Sequence, residues 1–513
     1  MRSEESSVKN SVGRATFVFF AIVSQVFWIL LLIKRLNEYS TLISLCTTIL
    51  TLIVVLWMYN TKMPMGFKLP WIMLILAFPV LGLALYLLLG RSDITRGMRL
   101  RIEKIDEILD KKLVQDDKIL DDLRKNDHSV ANQMAYISKY AKYPVYENTD
   151  VEFYKDASDG FEAQLLELEK AEKFIFIEYH AIEDAVSFGR MKRILAEKVK
   201  QGVDVRILYD DVGSIGFIDS VFVKRMEALG IKCRVFNPLV PVLNIIMNNR
   251  DHRKITVIDG KVGFTGGYNL ADKYFNLENP YGHWKDTGVK LTGDAVRSLT
   301  VTFLELWAAM SKEEMEDVTP FFSEKIYKAS ETCLVQPYAD SPLDEELVGE
   351  NVYMNIVKMA KTYVYFTTPY LIISDELQRE LTMAVKRGVD VRIITPGIPD
   401  KKAVFEVTRS NYGPLVRAGV RIYEYTPGFI HAKECICDDK MAVIGTINLD
   451  YRSLYLHFEN GVFLYGCKAV QDMKVDYEET MEKSREVTKE YQKLTSAAAA
   501  VKRSVLRLFA PLL

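Results

Sequence analysis

Metal-binding signatures are scarce in this chain of 513 residues. Its six cysteines (46, 233, 333, 435, 437 and 467) form no Cys-x-x-Cys pair, no His-Glu-x-x-His string occurs, and histidine is used only six times. Cysteines this sparse and scattered exclude a disulfide framework and fit a reducing compartment. Without a ligand cluster at metal spacing, a catalytic metal is not expected, nor is any other cofactor. A charge of one sign is lacking too: 66 Lys+Arg against 68 Asp+Glu leave −2, which argues against a whole-chain polyanion binder. Hydrophobic residues at 49% and charged residues at 26% exclude a disordered chain.

The apolar residues are unevenly spread. Three runs near the N-terminus, Ala15–Ile33, Thr41–Tyr59 and Pro70–Leu89, carry almost no charge. Each approaches the ~20 residues that cross a ~30 Å hydrocarbon layer. Trp28, Trp57, Tyr59, Trp71 and Tyr86 lie toward their ends, as interfacial aromatics do. A cleaved signal peptide does not fit the first run, because no small-x-small site precedes Lys34 and two more runs follow. Residues 1–95 are therefore expected to form a membrane region of three transmembrane helices. Lys34 and Arg35 share a side with Arg91, Arg96, Arg99, Arg101 and Lys104, and outnumber the basic residues opposite. The positive-inside rule then puts the large C-terminal part in the cytoplasm.

Residues 96–142 read as a helical connector, with Ile105, Ile108, Leu109, Leu113, Ile119, Leu120 and Leu123 as its apolar stripe. Beyond Tyr143, short β-rich runs alternate with amphipathic helices, which predicts an α/β fold with a partly parallel sheet. The alternation repeats. KQGVDVRILYDD at 200–211 echoes KRGVDVRIITPG at 386–397, and ALGIKCRVF at 228–236 echoes RAGVRIYEY at 417–425. Two copies of one unit follow, 143–335 and 336–513, with the active site expected between them.

Each copy carries the same rare string. HRKITVID holds His252, Lys254 and Asp259, and HAKECICD holds His431, Lys433 and Asp438, both as H-x-K-x4-D. A glycine turn ending in asparagine follows each, GGYN with Asn269 and GTIN with Asn448. In a strand, positions i and i+2 share a face, so each histidine should stand beside its lysine. An imidazole next to a fixed ammonium suits attack on a phosphate anion, and the asparagine amides are candidate donors to its oxygens. Two facing copies supply one histidine to attack and one to protonate the leaving alkoxide; spacing alone does not order them. Asp259 and Asp438 have the other parity and are expected to bind turn backbone. The ammonium beside each histidine would repel a metal cation. Cys435 and Cys437 share the face of His431 and Lys433, but an apolar strand favours a packing role.

An attacking imidazole needs its far nitrogen held by a partner. Asp286 in HWKD and Glu459 in HFEN follow the two motifs at matching places and are the candidates. His180 and Glu178 of IEYH, at the end of a strand, are candidate substrate contacts. His283 and His457 read as packing or hydrogen-bonding residues, and His128 as a surface one. The run PLVPVLNIIM at 238–247 is a candidate lining for an apolar groove, and the basic, apolar terminus VKRSVLRLFAPLL a candidate interfacial segment.

The paired H-x-K-x4-D strings, with IEYH, GGYNLADKY, HWKDTGVKLTGDAVRSLTVTFLELW and HAKECICDDKMAVIGTINLDYRSLYLHFEN, resemble the phospholipase D superfamily. Together with the N-terminal runs ending in LLLGRSDITRG, they most resemble bacterial cardiolipin synthases over nearly the whole chain. The resemblance implies two pseudo-symmetric repeats and a metal-independent phosphohistidine mechanism. In it, a phosphatidyl group passes from one phosphatidylglycerol to another, giving cardiolipin and glycerol. It assigns attack to His252 and proton transfer to His431, with Glu459 and Asp286 orienting them crosswise. It also implies a multi-pass protein of the bacterial plasma membrane, with phosphatidylglycerol, cardiolipin and the bilayer as partners and no nucleic acid. Members often show two hydrophobic N-terminal segments, where this sequence has three such runs. The rivals are a hydrolytic phospholipase D, another phosphatidyltransferase such as a phosphatidylserine synthase, and a nuclease, which the near-neutral charge disfavours. From another class, a catalytically silent membrane scaffold would require a decayed site, yet both His, Lys and Asn sets are intact.

Overall fold

The computed structural model describes residues 41–61, 65–87, 96–238, 248–311, 313–322, 327–343 and 346–492, with a few positions in 16–34, at 63 and in 501–508. Two sheets carry the fold. The first holds β1 (Thr149–Tyr154), β2 (Phe174–Tyr179), β3 (Asp204–Asp210), β4 (Lys232–Phe236), β5 (Lys254–Ile258), β6 (Val262–Gly266) and β8 (Gly288–Gly293), in the order β1-β8-β6-β5-β2-β3-β4. A short strand, β7 (His283–Lys285), lies outside it.

The second sheet holds β9 (Leu334–Asp340), β10 (Tyr363–Thr367), β11 (Asp390–Pro396), β12 (Arg421–Tyr425), β14 (Glu434–Cys437), β15 (Met441–Gly445), β16 (Glu459–Tyr465) and β17 (Ser484–Glu486). Its order, β9-β16-β15-β14-β10-β11-β12-β17, reproduces the first sheet strand for strand and adds β17 at one edge. In both, β2–β3–β4 and β10–β11–β12 pair in parallel, and the remaining pairs are antiparallel. Crossover helices such as Val186–Lys200 and Asp375–Lys386 make the parallel connections. The central strands are buried on both faces, so their apolar runs are nearly continuous.

The two halves meet through main-chain contacts. β7 pairs in parallel with β13 (Gly428–Ile430), and Asp251 bridges Phe458. The helix Val296–Ala309 is buried along almost its whole length, and its Phe303 stacks on Phe176 of β2. Its apolar residues share one core cluster with Ile436, Ile444 and Phe458 of the second half, so one core runs through both copies.

The N-terminal runs depart from three uninterrupted helices. Thr41–Asn60 is a single 20-residue helix. The third run instead forms two helices, Met65–Ala77 and Pro79–Leu85, broken at Phe78. Pro79 has no N–H to continue the ladder, and it pushes the preceding residue out of the helical region. Among the described residues, no helix is long and apolar enough to cross a membrane. The run Ala15–Ile33 lies partly outside the described residues, 239–247 of PLVPVLNIIM wholly so, and most of the last thirteen residues as well. The described N-terminal helices bury Met58, Trp71, Ile75 and Tyr86 against the second half's core while leaving Leu45, Ile49, Ile53, Leu56, Met73 and Phe78 exposed. The connector is interrupted, Arg96–Leu109 and then Asp117–Asn126, where the Asp116 side chain caps the second helix.

Candidate active site

The histidines stand just before their strands rather than within them, since β5 begins at Lys254 and β14 at Glu434. The reason is where their backbones are tied. The N–H of His252 donates to the carbonyl of Phe458 at 2.9 Å, and that of His431 to the carbonyl of Lys285 at 2.7 Å. Each histidine is thus fastened to the other half, immediately beside a carboxylate of that half. His252 Nδ1 lies 2.9 Å from both oxygens of Glu459, and His431 Nδ1 lies 2.6 Å from Asp286 Oδ2. With its Nδ1–H held by a carboxylate, each imidazole keeps the Nε2 lone pair available. Lys254 Nζ donates to the carbonyl of His252 at 2.5 Å. Lys433 donates to the carbonyl of His431 and sits 2.7 Å from its Nδ1.

The two halves hold their carboxylates differently. Glu459 accepts from the hydroxyls of Thr446 and Ser453, each at 2.5 Å. The place of Thr446 is taken in the first half by Gly267, and for a steric reason: a Cβ there would fall 2.0 Å from Asp286 Oδ1. Asp286 occupies that space and takes the N–H of Thr287 at 3.0 Å. The difference between GGYN and GTIN is therefore a fit to the carboxylate each one meets.

Electrostatics follow from burial among opposite charges. Burial pushes Asp286 up to about 6 and Glu459 up to about 7, moderated chiefly by Lys433 and Lys254 respectively. Burial lowers Lys254 to about 8 and Lys433 to about 7. Burial, reinforced by the neighbouring lysines, holds His252 and His431 well below the ordinary histidine value, so both imidazoles rest neutral. A bound phosphodiester anion would raise them again and let one carry a proton.

The ends of the site are unlike. His252 is flanked by His180 and His457, with ring centroids 5.0 and 5.6 Å away. His431 is walled by Tyr274, Trp284 and Phe429 at 5.3, 5.3 and 5.9 Å. Among the described residues, His252, His457 and Glu459 bring nitrogen and oxygen atoms within 4.8 Å of one another, but the lysines set cationic charge beside them.

Not every candidate joins this cluster. Glu178 does not: it pairs in register with Ile255 while Tyr179 pairs with Lys254, so it points to the opposite face from Lys254. There it is fully buried, 3.9 Å from Arg253. It is not positioned to touch a substrate. Asp259 and Asp438 lie at the far ends of β5 and β14, in left-handed turns with φ of 54° and 51°. Asp259 accepts from the N–H groups of Glu172, Lys173 and Phe174, and Asp438 from those of Lys361, Thr362 and Tyr363. They fasten β2 and β10 rather than contact the chemistry. Asn269 is engaged in the wall, taking the N–H of Ala181 and donating to the Tyr274 hydroxyl. Asn448 keeps an enclosed side-chain oxygen without a partner. Cys435 and Cys437 are fully buried in the core. Gly267 is legible in the sequence only as part of the glycine turn, and His457 only as a packing or hydrogen-bonding residue; the Gly-Gly against Gly-Thr contrast was the available signal for the first.

Comparison with known proteins identifies the family. The family described as "Cardiolipin synthase, PLD-like domain" matches residues 165–307 and 353–481, and "Phospholipase_D-nuclease N-terminal" matches 48–91. A cardiolipin synthase of Geobacillus kaustophilus is 32% identical over 94% of this chain and 95% of its own. Cardiolipin synthase 1 of Staphylococcus aureus is 32% identical over 86% of this chain and 91% of its own. An uncharacterised protein of Streptococcus mutans is 42% identical over 90% of this chain and 99% of its own. Among solved structures, the phosphatidylserine synthase of Haemophilus influenzae shares the fold, with a TM-score of 0.56 and 14% identity over 74% of this chain and all of that one. The chain belongs to the bacterial cardiolipin synthases of the phospholipase D superfamily and is a phosphatidyltransferase.

Proposed function

We propose that this enzyme transfers a phosphatidyl group from one phosphatidylglycerol to another, releasing glycerol, through a covalent phosphohistidine. The observation that carries the reading is the crosswise pairing, in which each motif histidine is held by the carboxylate of the other half. In the first half-reaction, His252 Nε2 attacks phosphorus and the bond to the glyceryl oxygen breaks. His431, protonated once the substrate anion is bound, gives its proton to that oxygen. In the second, a hydroxyl of another phosphatidylglycerol attacks the phosphohistidine, its proton passes to His431, and the P–N bond breaks. Glu459 and Asp286 keep the two tautomers in register, while Lys254 and Lys433 balance the charge on the phosphoryl oxygens.

The N-terminal region anchors the enzyme in the plasma membrane by several spans, with the catalytic halves on the cytoplasmic side. The exposed apolar face of Thr41–Asn60 supports this placement. A lipid acceptor delivered from the bilayer then competes with water at a site whose histidines are already enclosed. The test is to trap the intermediate: the wild-type enzyme with phosphatidylglycerol, quenched within the first turnovers at alkaline pH where phosphohistidine survives, then digested for mass spectrometry. The phosphatidyl mass is expected on the His252 peptide. Its absence there, with substrate still consumed, refutes the covalent step at His252.

A further inference from the structure

His457 stands in the wall of the site beside His252, and both its ring nitrogens are enclosed without a hydrogen-bond partner. Its Nδ1 is 3.8 Å from Glu459 Oε1, beyond hydrogen-bond reach. Burial, with Arg452, His252, His180 and Arg250 around it, keeps this imidazole neutral, so it offers one donor and one acceptor. On the other side of His252, His180 donates from Nδ1 to the carbonyl of Asp251 at 2.8 Å, which leaves its Nε2 as an acceptor. Gly213 leaves room for that ring, since a Cβ there would come 2.6 Å from Cε1. The His252 end thus offers the two ring nitrogens of His457 and the Nε2 of His180, where the His431 end presents an aromatic wall.

We propose that His457 and His180 form a subsite for the free hydroxyls of a neutral polyol headgroup, the glycerol that leaves in one half-reaction and its counterpart on the acceptor lipid in the other. The inference rests on the phosphatidylglycerol reading above. A hydroxyl both donates and accepts, which matches a neutral imidazole beside a second acceptor. A choline or ethanolamine headgroup brings a cation, which cannot accept and meets the field of Arg250 and Arg452. Extended glycerol sets its ester oxygen and far hydroxyl about 5 Å apart, from C–C and C–O bonds of near 1.5 Å. One end can then lie at phosphorus while the other reaches a flanking ring. A site built around a hydroxyl rejects substrates lacking it, because its buried polar groups are left unpaired.

The test uses the full chain in mixed micelles with two donors, phosphatidylglycerol and phosphatidyl-p-nitrophenol, whose leaving group has no free hydroxyl. His457→Leu is expected to lower kcat/KM for phosphatidylglycerol about tenfold relative to the nitrophenyl donor, mainly through KM. His457→Asn, whose carboxamide both donates and accepts, is expected to recover most of that ratio. Equal losses on both donors, with cardiolipin still made by the wild type, would overturn the subsite alone. A wild-type enzyme that cleaves the nitrophenyl donor but makes no cardiolipin would overturn the phosphatidylglycerol reading, and the subsite with it.

Discussion

Replacing Gly267 with alanine tests the steric account of the site at one atom. The new Cβ would fall 2.0 Å from Asp286 Oδ1 and 2.9 Å from its Cγ, whereas ordinary contact begins at 3.4 Å. The carboxylate, fully buried, must therefore move by roughly 1.4 Å, the difference of those two distances. A shift of that size breaks the 2.6 Å bond to His431 Nδ1. Losing a charge-assisted hydrogen bond removes about 1.5–3 kcal/mol, and displacement of a catalytic group by about 1 Å costs on the order of 10²-fold in rate. The expected kcat is about 10²-fold below wild type, with far-UV dichroism unchanged. The twin change, Thr446→Gly, creates no clash and deletes one of two hydroxyls on Glu459, so only about a threefold to tenfold loss is expected. Cardiolipin formation is followed by phosphorus NMR. A folded Gly267→Ala enzyme within threefold of wild type would refute the reasoning.

Further outcomes follow from the same geometry. Asp286 at about 6 and Glu459 at about 7 are anionic only above those values, while Lys433 at about 7 and Lys254 at about 8 are cationic only below theirs. The kcat/KM profile should therefore be a narrow bell that rises through pH 6–7 and falls through 7–8; a flat profile from about pH 5 to 9 contradicts it. Glu459→Gln keeps the shape but lets the amide present an N–H to His252, and about a 10³-fold loss of kcat is expected in the phosphatidylglycerol assay. Asp259→Ala orphans three backbone N–H groups and leaves a non-glycine residue at positive φ, so stability should fall by about 3 kcal/mol in denaturant titration. A midpoint unchanged from wild type would remove Asp259 from its structural role.

Much of the fold was legible because it is written twice. The echo of 200–211 in 386–397 predicts matching parallel strands in two sheets, and β3 and β11 are those strands, each between two parallel neighbours. The antiparallel strands β1, β6, β9 and β16 were not legible, because their mixed polar sequences take their character from sheet neighbours rather than local pattern. Parity reasoning set His252 beside Lys254 but placed it in a strand; the backbone bond to Phe458, a contact 206 positions away, holds it outside. The carboxylates were legible as residues, while their crosswise pairing came only with the resemblance, since no spacing in one chain reports which copy faces which. Glu178 misled because its place at the strand's end, before Tyr179 and His180, hides that its face of β2 is covered by the helix Val296–Ala309. The break at Phe78 was written plainly in the proline that follows it.

Product analysis by mass spectrometry puts the central claim to its most direct trial, with purified protein in phosphatidylglycerol bilayers containing EDTA. Cardiolipin and free glycerol in equal amounts, both lost in His252→Ala and in His431→Ala, are the predicted result. Phosphatidate as the main product, or cardiolipin still formed by either variant, would contradict it.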